Sequence, residues 1–126
     1  MAVVENKNAI TGIDVTMYLV KDLDRAIAFW RDTMGLKMTW EYPGKTGAEF
    51  TFDDGTTFGI YKIAEPQWHP SGGVCFRVAD ITAAVEYYKA RGAHFDGDGM
   101  VQETPVCFLA FGKDSEENTF ILHQHK

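Results

Sequence analysis

The chain has 126 residues, of which 45% are apolar, 13% aromatic and 24% charged; that is the size and mix of one globular domain, not of a disordered or low-complexity chain. Twelve Lys and Arg against eighteen Asp and Glu leave a net charge of −6 with no basic cluster, which excludes a nucleic-acid-binding face. No apolar run approaches the roughly 20 residues of a membrane helix, and the opening MAVVENKNAI lacks a signal peptide's cationic start and apolar core, so the expected setting is cytoplasmic with no membrane partner.

Taken in chain order, residues 1–9 read as a short arm. Val15 to Val20 form a strand rich in β-branched and aromatic residues. Asp22 stands where a helix N-cap belongs. Leu23, Ala26, Ile27, Trp30 and Met34 then recur at helical spacing, and Gly35 offers a left-handed helix end. Strands follow at about 37–42, 49–52 and 56–63. Pro43 to Gly47 and then Asp53-Asp54-Gly55 separate them, the latter a tight hairpin signal. A linker rich in Pro and Gly runs from Ala64 to Gly72.

The whole order then repeats. Val78 falls on Val20, Asp80 on Asp22, Ala84 on Ala26, Val85 on Ile27 and Tyr88 on Trp30. Val74 to Val78 form a strand, Asp80 a cap, and Ile81, Ala84, Val85 and Tyr88 an apolar helix stripe closed by Gly92. Strands are expected at about 93–95 running toward Val101, at 105–111 and at 118–124. Two βαβββ modules, near 10–63 and 72–124, make the fold class α+β, with a helix on one face of each small sheet. Cys75 and Cys107 lie in apolar strand runs, as buried free thiols do in a reducing compartment.

VTMYLVKDLDRAIAFWRDTMGLK and CFRVADITAAVEYYKARGA resemble the opening elements of the two modules of the glyoxalase, bleomycin-resistance and extradiol-dioxygenase proteins, the vicinal oxygen chelate fold. ETPVCFLAFGKDSEENTFIL is similar to their closing hairpin, with Glu117 at a position they give to glycine. The resemblance spans about residues 10–124. It implies a half-open barrel around a cleft, and in enzymatic members a divalent metal acting as a Lewis acid on vicinal substrate oxygens. Transferred onto this chain, the four ligand positions are Val15, Gly59, Gly73 and Ile121. None carries the imidazole, carboxylate or thiolate a divalent ion needs, so neither metal nor other cofactor is expected. A shift of one residue would place Asp14 there as a lone carboxylate. His69, His94, His123, His125, Glu49 and Glu103 are the other donors, and His123-Gln124-His125 reads as a flexible tail.

Strand alternation then predicts a cleft lined by Met17, Tyr61, Cys75, Arg77, Ile121 and His123. Arg77 either pairs an anionic ligand group or is a solvated strand end. Tyr61 and His123 offer hydrogen bonds to a ligand oxygen or an acid–base pair. Cys75 is either a nucleophile or inert packing. Trp40, Trp68 and Phe108 are free for stacking or for the core. Three functions fit. The first is a metal-free protein binding a small organic molecule, as the drug-sequestering branch does, in a homodimer that covers exposed sheet edges. The second is an enzyme of the lactoylglutathione-lyase, isomerase or thiol-transferase type, using a displaced metal or acid–base residues. The third is a regulatory domain with a vestigial cleft.

Overall fold

Two aspartates start the two helices as their positions predict. In the computed structural model, which describes residues 8–126, Asp22 accepts from the Arg25 amide at 3.0 Å and Asp80 from the Ala83 amide at 3.1 Å. The first seven residues of the expected arm lie outside the described residues. Gly35 and Gly92 take φ of +73° and +99°, the left-handed region that lets the chain leave each helix sharply.

The first sheet holds β1 (Thr16–Val20), β2 (Met38–Glu41), β3 (Gly47–Thr51) and β4 (Thr57–Lys62), in the spatial order β1-β4-β3-β2. The second holds β5 (Val74–Arg77), β6 (His94–Phe95), β7 (Gln102–Glu103), β8 (Cys107–Lys113) and β9 (Thr119–His125). Its order is β5-β9-β8-β6, with β7 also on β8. The pairs β1/β4 and β5/β9 are parallel, and the others are antiparallel. With α1 (Leu23–Ile27) and α2 (Ile81–Ala90) beside them, this is the α+β architecture the repeat predicts. One strand differs from expectation. The run from Ala93 toward Val101 breaks into β6 and β7 around a 3₁₀ turn, because Gly97, Asp98 and Gly99 all adopt positive φ.

The first helix also departs from its sequence pattern. It is α-helical only to Ile27 and continues as a π-helical turn over Ala28–Thr33, where the Met34 amide donates to the Phe29 carbonyl five residues back. The wider turn carries two adjacent rings to one neighbour. Phe29 and Trp30 lie 6.2 and 5.4 Å from Phe120. Trp30 also meets Phe58 at 4.7 Å and Phe76 at 5.4 Å, so one ring joins β4, β5 and β9 in a single core. Arg91, past α2, donates to the carbonyls of Thr33 and Asp32 and ties the two helix ends together.

β1 is an edge strand, and its free side is covered by polar groups of the linker and the closing turn. Leu19 donates its amide to Ser71 Oγ, and its carbonyl accepts from Trp68 Nε1 and Asn118 Nδ2. Trp68 is thereby a structural residue. Tyr18 Oη, in turn, accepts from the Val74 amide at 3.0 Å and donates to the Thr119 carbonyl at 2.6 Å. Burial pushes its hydroxyl pKa up to about 12, so it remains a donor.

The turn between β8 and β9 plugs into the first module. Glu116, fully buried, accepts from the amides of Lys21 and Asp22 at 3.0 and 2.9 Å and from Arg25 Nε and Nη2 at 2.5 and 3.0 Å. Asp114 accepts from the amides of Glu116 and Asn118, both at 2.8 Å. Sequence reading found this turn only as a departure from a family motif. The residue it placed on the glycine position, Glu117, has φ of +67°. A Cβ is strained there, and the side chain gains only a 3.8 Å contact with Lys21 at the surface. Glu117→Gly is therefore expected to raise stability by about 0.5–1 kcal/mol; urea unfolding that shows a loss would contradict the strain.

Candidate functional site

Period-2 alternation sends Met17 and Gly59, paired across β1 and β4, to the face of the first sheet opposite the helix. Met17 Sδ lies 2.9 Å from where a Cβ on residue 59 would stand, and Val15 Cγ2 lies 3.1 Å from it. The Met17 and Val15 side chains thus occupy the ground beside Gly59. On the neighbouring strand Tyr42 lies over Gly47, whose own Cβ would meet the ring at 2.5 Å. Tyr42 donates to Glu49 at 2.5 Å. Burial, with Glu49 accepting from it, pushes its hydroxyl pKa up to about 12. Trp40 stands 4.9 Å from Tyr42, and Tyr61 6.4 Å from it. The three rings make an aromatic strip in which Trp40 and Tyr61 are exposed.

On the second sheet Cys75 pairs with Ile121 and Arg77 with His123. β9 extends to His125, so His123 and His125 share a face, with ring centroids 4.6 Å apart. This corrects the flexible-tail reading: the cross-strand pairing with β8 continues through Cys107 and His125.

A cavity of about 730 Å³ opens where the β3–β4 hairpin of the first sheet meets β5 and β9 of the second. Phe52, Asp53, Asp54 and Phe58 line it from one side, and Cys75, Phe76, Arg77, His123 and His125 from the other. Thr16 and Thr57 add hydroxyls. The size and the mixture of rings with a few polar groups suit a small organic molecule. Of the six residues assigned to one cleft from sequence, Cys75, Arg77 and His123 line this cavity. Met17 and Tyr61 sit on the outer face of the first sheet, and Ile121 lies between Cys75 and Phe111 on the second.

Two expectations change with the neighbours the fold supplies. Arg77 is not a free cation, because it reaches Asp54 at 3.3 Å across the cavity mouth. Thr56, donating from its hydroxyl and amide, and then Arg77 hold the Asp54 carboxyl below its ordinary range. Cys75 is exposed, whereas Cys107 is buried as expected. Such burial as the Cys75 thiol has, then the Cys107 thiol, raise its pKa, so it is not poised as a nucleophile. The hairpin residues Asp53 and Asp54 were legible only as a turn. Phe52, Phe58 and Phe76 were legible only as strand apolars.

Among the described residues, no group of three or more His, Cys, Asp or Glu could hold a metal ion. Glu49 is engaged by Tyr42, and Glu103 by Lys126 at 2.5 Å. His69 and His94 are exposed, apart from the cavity lining. Among the described residues, the donors that the fold's metal chemistry requires are not assembled. No described helix is long and apolar enough to cross a membrane.

No curated protein matches the chain in sequence. Solved structures do match in fold. TnmS3, an antibiotic binding protein from Streptomyces sp. CB03234, superposes with a TM-score of 0.79 at 21% identity over 94% of this chain and 98% of its own. TioX from Micromonospora sp. ML1 gives 0.73 at 17% identity over 92% and 100%. A lactoylglutathione lyase from Agrobacterium tumefaciens gives 0.68 at 20% over 91% and 94%. At such identities the likeness is one of fold. The sequence carries the family itself: residues 12–100 match the family model, and the chain belongs to the Glyoxalase/Bleomycin resistance protein/Dioxygenase superfamily.

Proposed function

We propose that the chain binds a small organic molecule in the junction cavity and does so without a metal. The observation that carries this reading is the cavity itself, about 730 Å³ with three phenylalanines on its walls and Asp54, Arg77 and His123 at its polar side. The residues Val15, Gly59, Gly73 and Ile121 support the metal-free part, since they offer no donor atom. The fold neighbour TnmS3, described as an antibiotic binding protein, supports a sequestering role over a catalytic one.

We also infer a homodimer. Ile10, Ile13 and Val106 are 93%, 86% and 70% exposed, and Trp40 and Tyr61 are exposed as well. Such apolar surface is normally covered. A second copy laid over the cavity would bring Met17 and Tyr61 to Cys75, Arg77, Ile121 and His123 and complete the set read from sequence.

A melting-shift screen with antibiotics tests the binding. A ligand at about 100 times its Kd adds about 2.7 kcal/mol of stability. Phe52→Ala and Arg77→Ala are expected to weaken the responding compound at least about fivefold, with Tyr61→Ala weakening it as well if the dimer forms the site. No response from any compound, or a response that Phe52→Ala leaves untouched, would remove the cavity from the proposal. Elemental analysis that finds one metal per chain, and light scattering that reads a monomer, would overturn the other two parts.

A further inference from the structure

The chain holds three Asp-Gly pairs, Asp54-Gly55, Asp96-Gly97 and Asp98-Gly99, and no Asn-Gly. Such a pair can close on itself, the glycine amide nitrogen attacking the aspartate side-chain carbon, because a residue without Cβ lets its nitrogen come close. The fold treats the three unequally. Asp54 Oδ1 accepts from the amide and hydroxyl of Thr56 and Oδ2 from Arg77, while the Gly55 amide donates to the Phe52 carbonyl at 2.9 Å. The Thr56 groups, ahead of Arg77, also hold the Asp54 carboxyl below its ordinary range, short of the proton its hydroxyl needs to leave. Asp98 Oδ1 lies 3.3 Å from Lys89 Nζ, and the Gly99 amide donates to the Asp96 carbonyl at 3.2 Å. In both pairs the carboxyl and the amide must be freed before they can meet. Asp96 and Gly97 are exposed, and the Asp96 carboxylate has no partner among the described residues. The Gly97 amide donates to no described carbonyl, as the opening N–H groups of a helical turn have no partner inside it.

We propose that Asp96 is a modification site, at which the backbone rearranges to isoaspartate without an enzyme. The Gly97 nitrogen bonds to Cγ of the protonated Asp96 carboxyl. The carboxyl hydroxyl and the amide hydrogen leave together as water, and a five-membered succinimide remains. Water then opens the ring. Attack at Cγ restores aspartate; attack at the main-chain carbonyl leaves the chain running through Cβ and Cγ, with the former main-chain carbon as a free carboxylate. No oxidant, reductant or cofactor is consumed. The product carries one extra main-chain methylene directly after β6, where Phe95 is buried with its ring 5.8 Å from Phe120. Its new carboxylate is the chemical group that an S-adenosylmethionine-dependent isoaspartyl methyltransferase esterifies, so an enzyme of that class is the partner this site would take.

The test ages the full folded chain at neutral pH, well below its melting temperature. Electron-transfer mass spectrometry of its peptides, which distinguishes isoaspartate from aspartate, then maps the product. Residue 96 is expected to hold at least about fivefold more than residue 54 or 98, the factor for one amide hydrogen bond that must break first. In urea the three sites should become alike. Methyl transfer from S-adenosylmethionine by an isoaspartyl methyltransferase should label the aged wild type, and Asp96→Glu, whose ring would need six members, should lose most of that label. Equal or greater conversion at residue 54 or 98 in the folded chain, a ranking that urea leaves unchanged, or full labelling of Asp96→Glu would overturn the proposal.

Discussion

Glu116→Ala is expected to lower the unfolding free energy by about 3–5 kcal/mol, because it strips a fully buried carboxylate from two amides and a guanidinium at once. In a domain of this size the melting temperature should fall by roughly 10–20 °C. Burial alone would raise the Glu116 carboxyl; Arg25 and the amides of Asp22 and Lys21 outweigh it and hold the pKa below its ordinary value. Its stabilisation is therefore present above the unfolded carboxyl pKa and is lost as pH falls through the lowered folded one. Asp114 behaves in the opposite sense. Burial, only partly offset by the amides of Asn118 and Glu116, raises its carboxyl, so its contribution is present in acid and is lost as pH rises through the folded value. The gap in melting temperature between wild type and Glu116→Ala should consequently narrow as the solution is acidified. A calorimetric gap that stays constant or widens from neutral to acid pH would contradict the arrangement.

Trp30→Ala should cost about 3–5 kcal/mol in urea unfolding, the range for deleting a large buried ring. The ring is 1% exposed and touches Tyr18, Phe58, Phe76 and Phe120, so its loss opens a hole between the two sheets. Trp30→Phe should cost clearly less than the alanine change. Nε1 of Trp30 is buried without a hydrogen-bond partner among the described residues, and removing an orphan donor relieves part of the penalty for the smaller ring. Phe58 and Phe76 both line the cavity and rest against Trp30, so Trp30→Ala should also weaken ligand binding. A cost below about 1 kcal/mol for Trp30→Ala would show that the sheets pack without it.

Those two residues show how far local chemistry could be read along the chain. Trp30 belongs to an apolar stripe at helical spacing, so its burial was legible. Its place against β5 and β9 was not, since nothing in the stripe says that the turn widens into a π-helix. Glu116 carried no signal at all: an acidic residue in a polar turn normally stays in water. Its burial depends on two amides at the start of α1 and on Arg25, more than ninety positions earlier in the chain.

By itself the sequence determined the doubled strand, cap and helix order, the α+β class, the family, and which residues alternate to the outer faces. These are consequences of local periodicity and capping, and the residues that decide them are neighbours in the chain. That Val15, Gly59, Gly73 and Ile121 carry no metal donor is likewise plain from their side chains, while their standing as ligand positions is what the family resemblance implies. Only the tertiary structure decided where the cavity opens, that Asp54 takes up Arg77, and that Cys75 is exposed at the cavity while Cys107 is buried. The physical reason is that a cavity and an ion pair are properties of surfaces brought together by packing. Asp54 and Arg77 come from hairpin and strand in different sheets, and the hydrophobic seam around Trp30 that sets those sheets side by side has no counterpart in any stretch of chain short enough to show a period.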